Sequence, residues 1–327
     1  MLTDTFNRVH DYLRISITDK CNLRCSYCMP YDLPHGHFAE AQRMRAEEIF
    51  AIAKTFVDLG IKKIRITGGE PLARKEFRKI IQLLSELPAE IALSSNGVLI
   101  NDFIDDLNLA GIRSVNISLD SLDPQKFLNI TKRNAQEKVL SNIRLLIEHN
   151  FVVKMNVVVM KGVNENEIPD FIELTRDMPL QVRFIEYMPF LGNGWNKNAV
   201  FSSDDILAVV TACYEIEKLA DENHATAKKY RAMGHKGVFG IIPTMSEPFC
   251  GDCNRLRLTS DGKIKNCLFG KEELDLLSAL RNGLPIEDLI IKSVKNKYAV
   301  RGGQFEDDYK LINADLLVNR SMVGIGG

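Results

Sequence analysis

Six of the seven cysteines in this 327-residue chain fall into two tight triads, Cys21-x3-Cys25-x2-Cys28 and Cys250-x2-Cys253-x13-Cys267, with Cys213 apart from both. Three thiolates on one short loop can ligate one centre, and in a reducing compartment such clusters read as metal sites rather than disulfides. Zinc in a structural site takes four closed ligands, and His35 or His37 could complete a Cys3His set around the first triad. An iron–sulfur cube held by three cysteines instead leaves one iron open to a further ligand. The second triad has no obvious fourth ligand and lacks the second C-x2-C pair of a zinc ribbon. A cube with an open iron fits it better, and the open position suggests a substrate atom as ligand.

Two residues beyond Cys253 comes Arg255-Leu256-Arg257, and on an extended segment alternation puts both guanidiniums on one face. Their planar forks suit phosphate oxygens. Arg14, Arg65 and Lys154 lie on or near apolar runs that read as strands and would point to the same place. Any one of these cations alone would read as a solvated or ion-paired surface residue. Gathered around one cavity in a chain of net charge -1, they imply an anionic substrate. There is no G-x4-G-K-[ST] loop, so a triphosphate would rest on side chains rather than in a backbone cradle.

The elements that must hold these groups follow a βα rhythm. Strand candidates are Tyr12–Thr18, Lys63–Thr67, Glu90–Ser95, Ser114–Leu119, Val152–Met160 and Val182–Tyr187, and helix-period segments such as EEIFAIAKTFVDLG and EFRKIIQLLSEL lie between them. Helical crossovers imply parallel pairing. Six units are too few to close an eight-stranded barrel. The expected fold is therefore α/β, an incomplete (βα)6 TIM-like barrel with a C-terminal region covering its mouth, divided into residues 1–215 and 216–327. In the second part a helix is expected near Asp204–Lys218 and short strands around Tyr230–Ile242 and Asn254–Lys265, and Cys213 reads as a buried, inert thiol.

At this length roughly three quarters of the unfolded surface can be buried, so a core forms without disulfides. Lys plus Arg number 42 against 43 Asp plus Glu, which gives no global attraction to nucleic acid or to a membrane surface. The N-terminal segment has no apolar signal region and no run approaches a membrane span, so the protein is expected in the cytosol.

Chemistry in such folds gathers at the carboxyl ends of the strands. There lie the first triad, Gly68-Gly69-Glu70-Pro71, Ser94-Ser95-Asn96-Gly97, Ser118-Leu119-Asp120 and Glu186-Tyr187-Met188-Pro189. CNLRCSYC after a first strand resembles the signature of radical S-adenosylmethionine enzymes. The resemblance implies a 4Fe-4S cluster on Cys21, Cys25 and Cys28 whose open iron chelates S-adenosylmethionine. It also implies reductive cleavage to methionine and a 5′-deoxyadenosyl radical that takes hydrogen from substrate. Tyr27, Gly69, Ser118 and Met188 match the family's cofactor contacts.

Both triads, RITGGEPL, SLDSLD, RFIEYMP, CGDCNRLRL and the terminal Gly326-Gly327 pair together resemble one branch of that family, the GTP 3′,8-cyclases of molybdenum cofactor biosynthesis. This implies a lyase that abstracts the ribose C3′ hydrogen of GTP and joins C3′ to guanine C8. It implies a second 4Fe-4S cluster on Cys250, Cys253 and Cys267, nucleotide contacts from Arg14, Arg65, Ser94, Lys154, Arg255 and Arg257, and a glycine pair reaching into the site. The implied partners are an electron donor such as flavodoxin or ferredoxin and cyclic pyranopterin monophosphate synthase as the next enzyme. No nucleic acid or membrane partner is expected, and the chain is expected to be a monomer or homodimer.

Overall fold

Apolar side chains occupy every second position of the predicted strands, and in the computed structural model those positions are the buried ones. Residues 1–29, 38–305 and 308–326 are described; His35, His37 and Gly327, invoked above, lie outside them. A short antiparallel ribbon, β1 (Leu2–Thr3) with β2 (Val9–His10), precedes six strands: β3 (Tyr12–Ser16), β4 (Lys63–Thr67), β5 (Glu90–Ser95), β6 (Ser114–Ser118), β7 (Val152–Val159) and β8 (Gln181–Glu186). These six pair in chain order and in parallel. Leu13 and Ile15, Ile64 and Ile66, Val115 and Ile117, and Val153 through Val159 at alternate positions are buried.

The crossover helices supply what those faces pack against. In α1 (Ala46–Asp58), Ile49, Ile52, Ala53 and Phe56 recur at helical spacing and are wholly buried, and the helix opens with the Glu48 side chain accepting the Arg45 N–H at 2.7 Å. It stops at Gly60, whose φ of 108° suits only glycine. In α2 (Phe77–Ser85) the same stripe is Phe77, Ile80, Ile81 and Leu84.

The opposite strand faces are polar. Arg14, Arg65, Ser94, Asn116, Ser118, Lys154, Asn156 and Arg183 all lie on alternate positions that face away from the helices. Barrels of this kind normally fill their interior with branched apolar side chains. Here the interior is built to hold something polar.

The later chain does more than cover the mouth, because its strands extend the sheet at both edges. The expected helix at Asp204–Lys218 is the shorter α3 (Ser203–Cys213), followed by β9 (Ile216–Lys218), β10 (Lys228–Ala232) and β11 (Val238–Ile242). Of these, β11 runs parallel to β8, with β10 and β9 antiparallel outside it. At the other edge β12 (Arg255–Leu258) runs parallel to β3, and the antiparallel β13 (Lys263–Lys265) and β14 (Leu274–Asp275) lie beyond. The sheet stays open, in the order β14-β13-β12-β3-β4-β5-β6-β7-β8-β11-β10-β9. Cys213 is exposed rather than buried: it continues the helical spacing of the buried Ile206 and Val210, but it is the last residue of α3, whose final turn, 211–213, is exposed throughout. Among the described residues no helix is long and apolar enough to cross a membrane.

Candidate active site

Two cavities occupy the polar interior. One, of about 180 Å³, is walled by Cys21, Cys25 and Cys28 together with Tyr27, Gly69, Ser94, Ser118 and Met188. The other, of about 210 Å³, is walled by Cys250, Cys253 and Cys267 together with Arg14, Arg255 and Arg257. Asn156, Ile185, Met188 and Met322 line both, so the cavities meet along a shared wall.

The loop of the first triad is pinned by the Gly-Gly turn after β4. The Gly69 N–H donates to the Thr18 carbonyl at 2.6 Å and the Glu70 N–H to the Lys20 carbonyl at 2.8 Å. A Cβ on Gly69 would fall 2.3 Å from the Lys20 oxygen, so the two backbones approach as only glycine allows. The buried Glu70 carboxylate then accepts from the Leu72 N–H at 3.0 Å, Ser95 Oγ at 2.9 Å and the Asn96 N–H at 2.7 Å, tying this turn to the next rim loop. Asn96 Nδ2 lies 3.7 Å from Cys21 Sγ and donates to Asn22 Oδ1 at 2.6 Å. The GGEP stretch thus serves as a brace for the cysteine loop and not merely as a strand-to-helix turn.

Burial and the neighbouring Glu70 push the Cys21 thiol up to about 11, and burial with Asp120 and the other thiols raises Cys25 and Cys28 as well. Such a triad stays protonated unless a cationic centre displaces the protons, which is what ligation does. Among the described residues no fourth cysteine and no histidine lines either cavity, and no three His, Cys, Asp or Glu side chains gather closely enough to hold one metal ion. Three convergent thiols beside open space fit a cluster with an accessible position, and the same holds at the second triad.

At the second triad the balance differs. Burial alone would raise the Cys253 thiol, but the Lys297 and Arg255 cations outweigh it and hold the thiol at about 7. Lys297 is 4% exposed, its ammonium 3.6 Å from Cys253 Sγ and donating to the Arg255 carbonyl at 2.9 Å. The Arg301 N–H lies 3.4 Å from Cys250 Sγ.

Neighbouring strands bring the cations together, Arg257 opposite Arg14 and Arg14 opposite Arg65. Burial and mutual repulsion lower Arg14 to about 9, Arg257 to about 10 and Arg183 to about 10. Among the described residues none of Arg14, Arg65, Lys154, Arg183, Arg255 and Arg257 pairs with a carboxylate. These six side chains are therefore not ion-paired surface residues, and together they form a cationic face inside the sheet. Arg65 and Lys154 stand back from both cavity walls. Arg65 donates to the Leu93 carbonyl at 2.9 Å and to the Tyr12 hydroxyl, while Lys154 is half-buried and held down to about 8 by burial, Arg183 and Arg65. Ser94, expected beside the nucleotide, lines the first-triad cavity.

Residues 15–175 match the Radical SAM superfamily and residues 180–302 match Molybdenum Cofactor Synthesis C. The GTP 3′,8-cyclase of Peptoclostridium acidaminophilum is 41% identical over 100% of this chain and 98% of that protein. The chain belongs to the GTP 3′,8-cyclase family of radical S-adenosylmethionine enzymes. The mitochondrial GTP 3′,8-cyclase of Arabidopsis thaliana is 41% identical over 100% of this chain and 84% of that protein. Molybdenum cofactor biosynthesis protein 1 of Mus musculus is 44% identical over 99% of this chain but only 51% of that protein, so the chain spans about half the length of such relatives. Among solved structures, Streptococcus suis SuiB superposes with a TM-score of 0.60 at 14% identity, covering 91% of this chain and 68% of that one. Native anSMEcpe with bound AdoMet superposes with a TM-score of 0.59 at 17% identity, covering 86% and 80%. These likenesses establish the open α/β barrel common to the superfamily.

Several residues of this family member's site escape the sequence reading. Asn116, Asn156 and Arg183 line the second cavity, and strand alternation held the signal for all three. Asp120, which binds the Tyr27 hydroxyl, sits just beyond β6 on the expected rim. Lys297 gives no such signal, lying 44 positions from the cysteine it faces.

Proposed function

We propose that the chain converts GTP to 3′,8-cyclo-7,8-dihydro-GTP, the first step of molybdenum cofactor synthesis, with S-adenosylmethionine at the first triad and the nucleotide at the second. The observation that supports this best is the shared wall. A cavity suited to a cofactor shares a wall with one lined by Arg14, Arg183, Arg255 and Arg257, none of which pairs with a carboxylate among the described residues.

The 4Fe-4S cluster on Cys21, Cys25 and Cys28, when bound with S-adenosylmethionine, supplies a carbon radical able to take a hydrogen atom from C3′. The chain's own residues do the positioning. Tyr27, Gly69, Ser118 and Met188 hold the cofactor, with Gly69 also keeping the cysteine loop in place and Asp120 fixing Tyr27. Arg14, Arg255 and Arg257, backed by Arg65 and Lys154, neutralise the triphosphate, and Ser94 meets the nucleotide from the first-triad side. Cys250, Cys253 and Cys267 would hold the second cluster, which would supply an open iron position for the guanine ring. Tail closure is supported by Gly326, whose carbonyl accepts from Arg257 Nη1 at 2.7 Å and where a Cβ would fall 2.6 Å from Ser16 Cβ.

In this reading residues 1–215 form the partial barrel with the first cluster, and residues 216–327 bring the second cluster and the glycine-pair tail. The protein acts in the cytosol as a monomer or homodimer, takes electrons from a flavodoxin or ferredoxin and passes its product to cyclic pyranopterin monophosphate synthase. The test is anaerobic reconstitution followed by incubation with a reductant, S-adenosylmethionine and GTP deuterated at C3′. Deuterium in 5′-deoxyadenosine together with the cyclised nucleotide is expected. Cofactor cleavage with no label transfer and no cyclised product would overturn the assignment.

A further inference from the structure

A deeply buried ammonium stands behind the second triad. Lys297 follows the helix Glu287–Lys295 and is only 4% exposed, yet among the described residues no carboxylate pairs with it. Lysines are almost never buried this far without a partner. Its hydrogen-bond partners are the Arg255 carbonyl at 2.9 Å and Cys253 Sγ at 3.6 Å. The carbonyl fixes where the ammonium sits, and the sulfur is the group that its charge faces.

The other cations near this triad are engaged elsewhere. Arg8 pairs with Asp4 at 2.6 Å, and Arg255 stands over the Phe249 ring on the cavity wall. Lys297 is not on that wall, so its charge serves the sulfur rather than whatever fills the cavity. At the first triad the arrangement is reversed. No lysine or arginine lines that cavity, and the charged groups acting on its thiols are the carboxylates Glu70 and Asp120. Hydrogen bonds to the ligating sulfurs and nearby charge set the potential of a cluster held by those sulfurs. A cation at such a sulfur favours the reduced form, which carries one more negative charge.

We propose that Lys297 tunes the second cluster, donating a charge-assisted hydrogen bond to the Cys253 sulfur and thereby stabilising the reduced cluster over the oxidised one. This rests on the two-cluster reading above and deepens it. Lys297 is a positioning residue that acts through Cys253.

The test is an anaerobic redox titration with dithionite, followed by electron paramagnetic resonance, on protein whose Cys21, Cys25 and Cys28 are alanine so that only the second centre can assemble. Lys297 is kept or replaced as Lys297→Met, Lys297→Gln and Lys297→Arg, and iron and sulfide are counted in each. The Met and Gln variants should be harder to reduce by roughly tenfold in the reduction equilibrium, a midpoint lower by about 59 mV for one electron, while Arg stays near the parent. Loss of iron from Met and Gln with retention by Arg supports the proposal too, since charge alone separates those variants. An unmoved midpoint in iron-loaded Met or Gln overturns it. Loss of iron from all three, Arg included, also overturns it, because the residue then matters for its shape and not its charge. If the parent with Lys297 intact held no iron, the second cluster itself would fall, an outcome distinct from failure of the tuning role.

Discussion

The Tyr27 hydroxyl donates to Asp120 Oδ2 at 2.8 Å, while Asp120 Oδ1 accepts the Val158 N–H at 2.8 Å. One carboxylate thus joins the cysteine loop to the ends of β6 and β7. Asp120→Ala removes a charge-assisted bond and leaves a buried N–H without a partner, a loss of about 1–3 kcal/mol in stability. The midpoint of urea denaturation should fall accordingly, and affinity for S-adenosylmethionine should drop roughly tenfold, with Asp120→Asn affected less because it keeps an acceptor.

Gly69→Ala forces a methyl to 2.3 Å from the Lys20 carbonyl oxygen. The backbone must give way there, and overpacking of this kind costs about 1–3 kcal/mol. The expected result is a folded protein with impaired S-adenosylmethionine cleavage, checked by circular dichroism beside 5′-deoxyadenosine formation.

Lys154 is held down to about 8, by burial first and then by Arg183 and Arg65, against an ordinary value of 10.5. Between those values the unfolded chain binds the proton that the folded chain has released. Stability of the ligand-free protein should therefore rise with pH across that window on account of this residue. The difference in stability between wild type and Lys154→Met, followed by thermal denaturation, should change across that window and be flat below it. Triphosphate affinity should weaken as pH rises through the same range, because the ammonium is lost.

The two triads should separate by substitution. Cys25→Ala removes a ligand of the radical-generating centre, and cofactor cleavage should vanish. Cys253→Ala leaves the first cavity intact, so some 5′-deoxyadenosine should still form while cyclised nucleotide does not. Chromatographic quantification of both products in both variants checks the division.

Much of this was legible before any coordinates. Strand spacing fixed the six parallel units, and the rim loops carrying the first triad, Gly69, Ser118 and Met188 do meet at one cavity. What escaped were long-range pairings. Nothing local in Arg255-Leu256-Arg257 says that it lies beside Tyr12-Leu13-Arg14, since parallel pairing of distant segments leaves no turn between them to read. Lys297 was invisible for the same reason. Arg65 and Lys154 show the converse limit. Alternation assigned their face correctly but not what they reach: Arg65 is level with Arg14 yet donates to Tyr12 and the Leu93 carbonyl, and neither it nor Lys154 lines the two cavities.

Because β11 and β12 flank the first six strands from opposite ends, both borders of the inner sheet come from the last third of the polypeptide. A ribosome that has delivered only the cysteine loop and its six strands has made a sheet with two bare margins and no arginine pair from β12. The nucleotide chamber comes into being late, when residues near the C-terminus dock against strands made long before. Truncation near residue 250 keeps β11 on β8 but leaves the β3 margin bare, and should thus yield an aggregating fragment rather than a working half-enzyme, since an exposed margin recruits other chains.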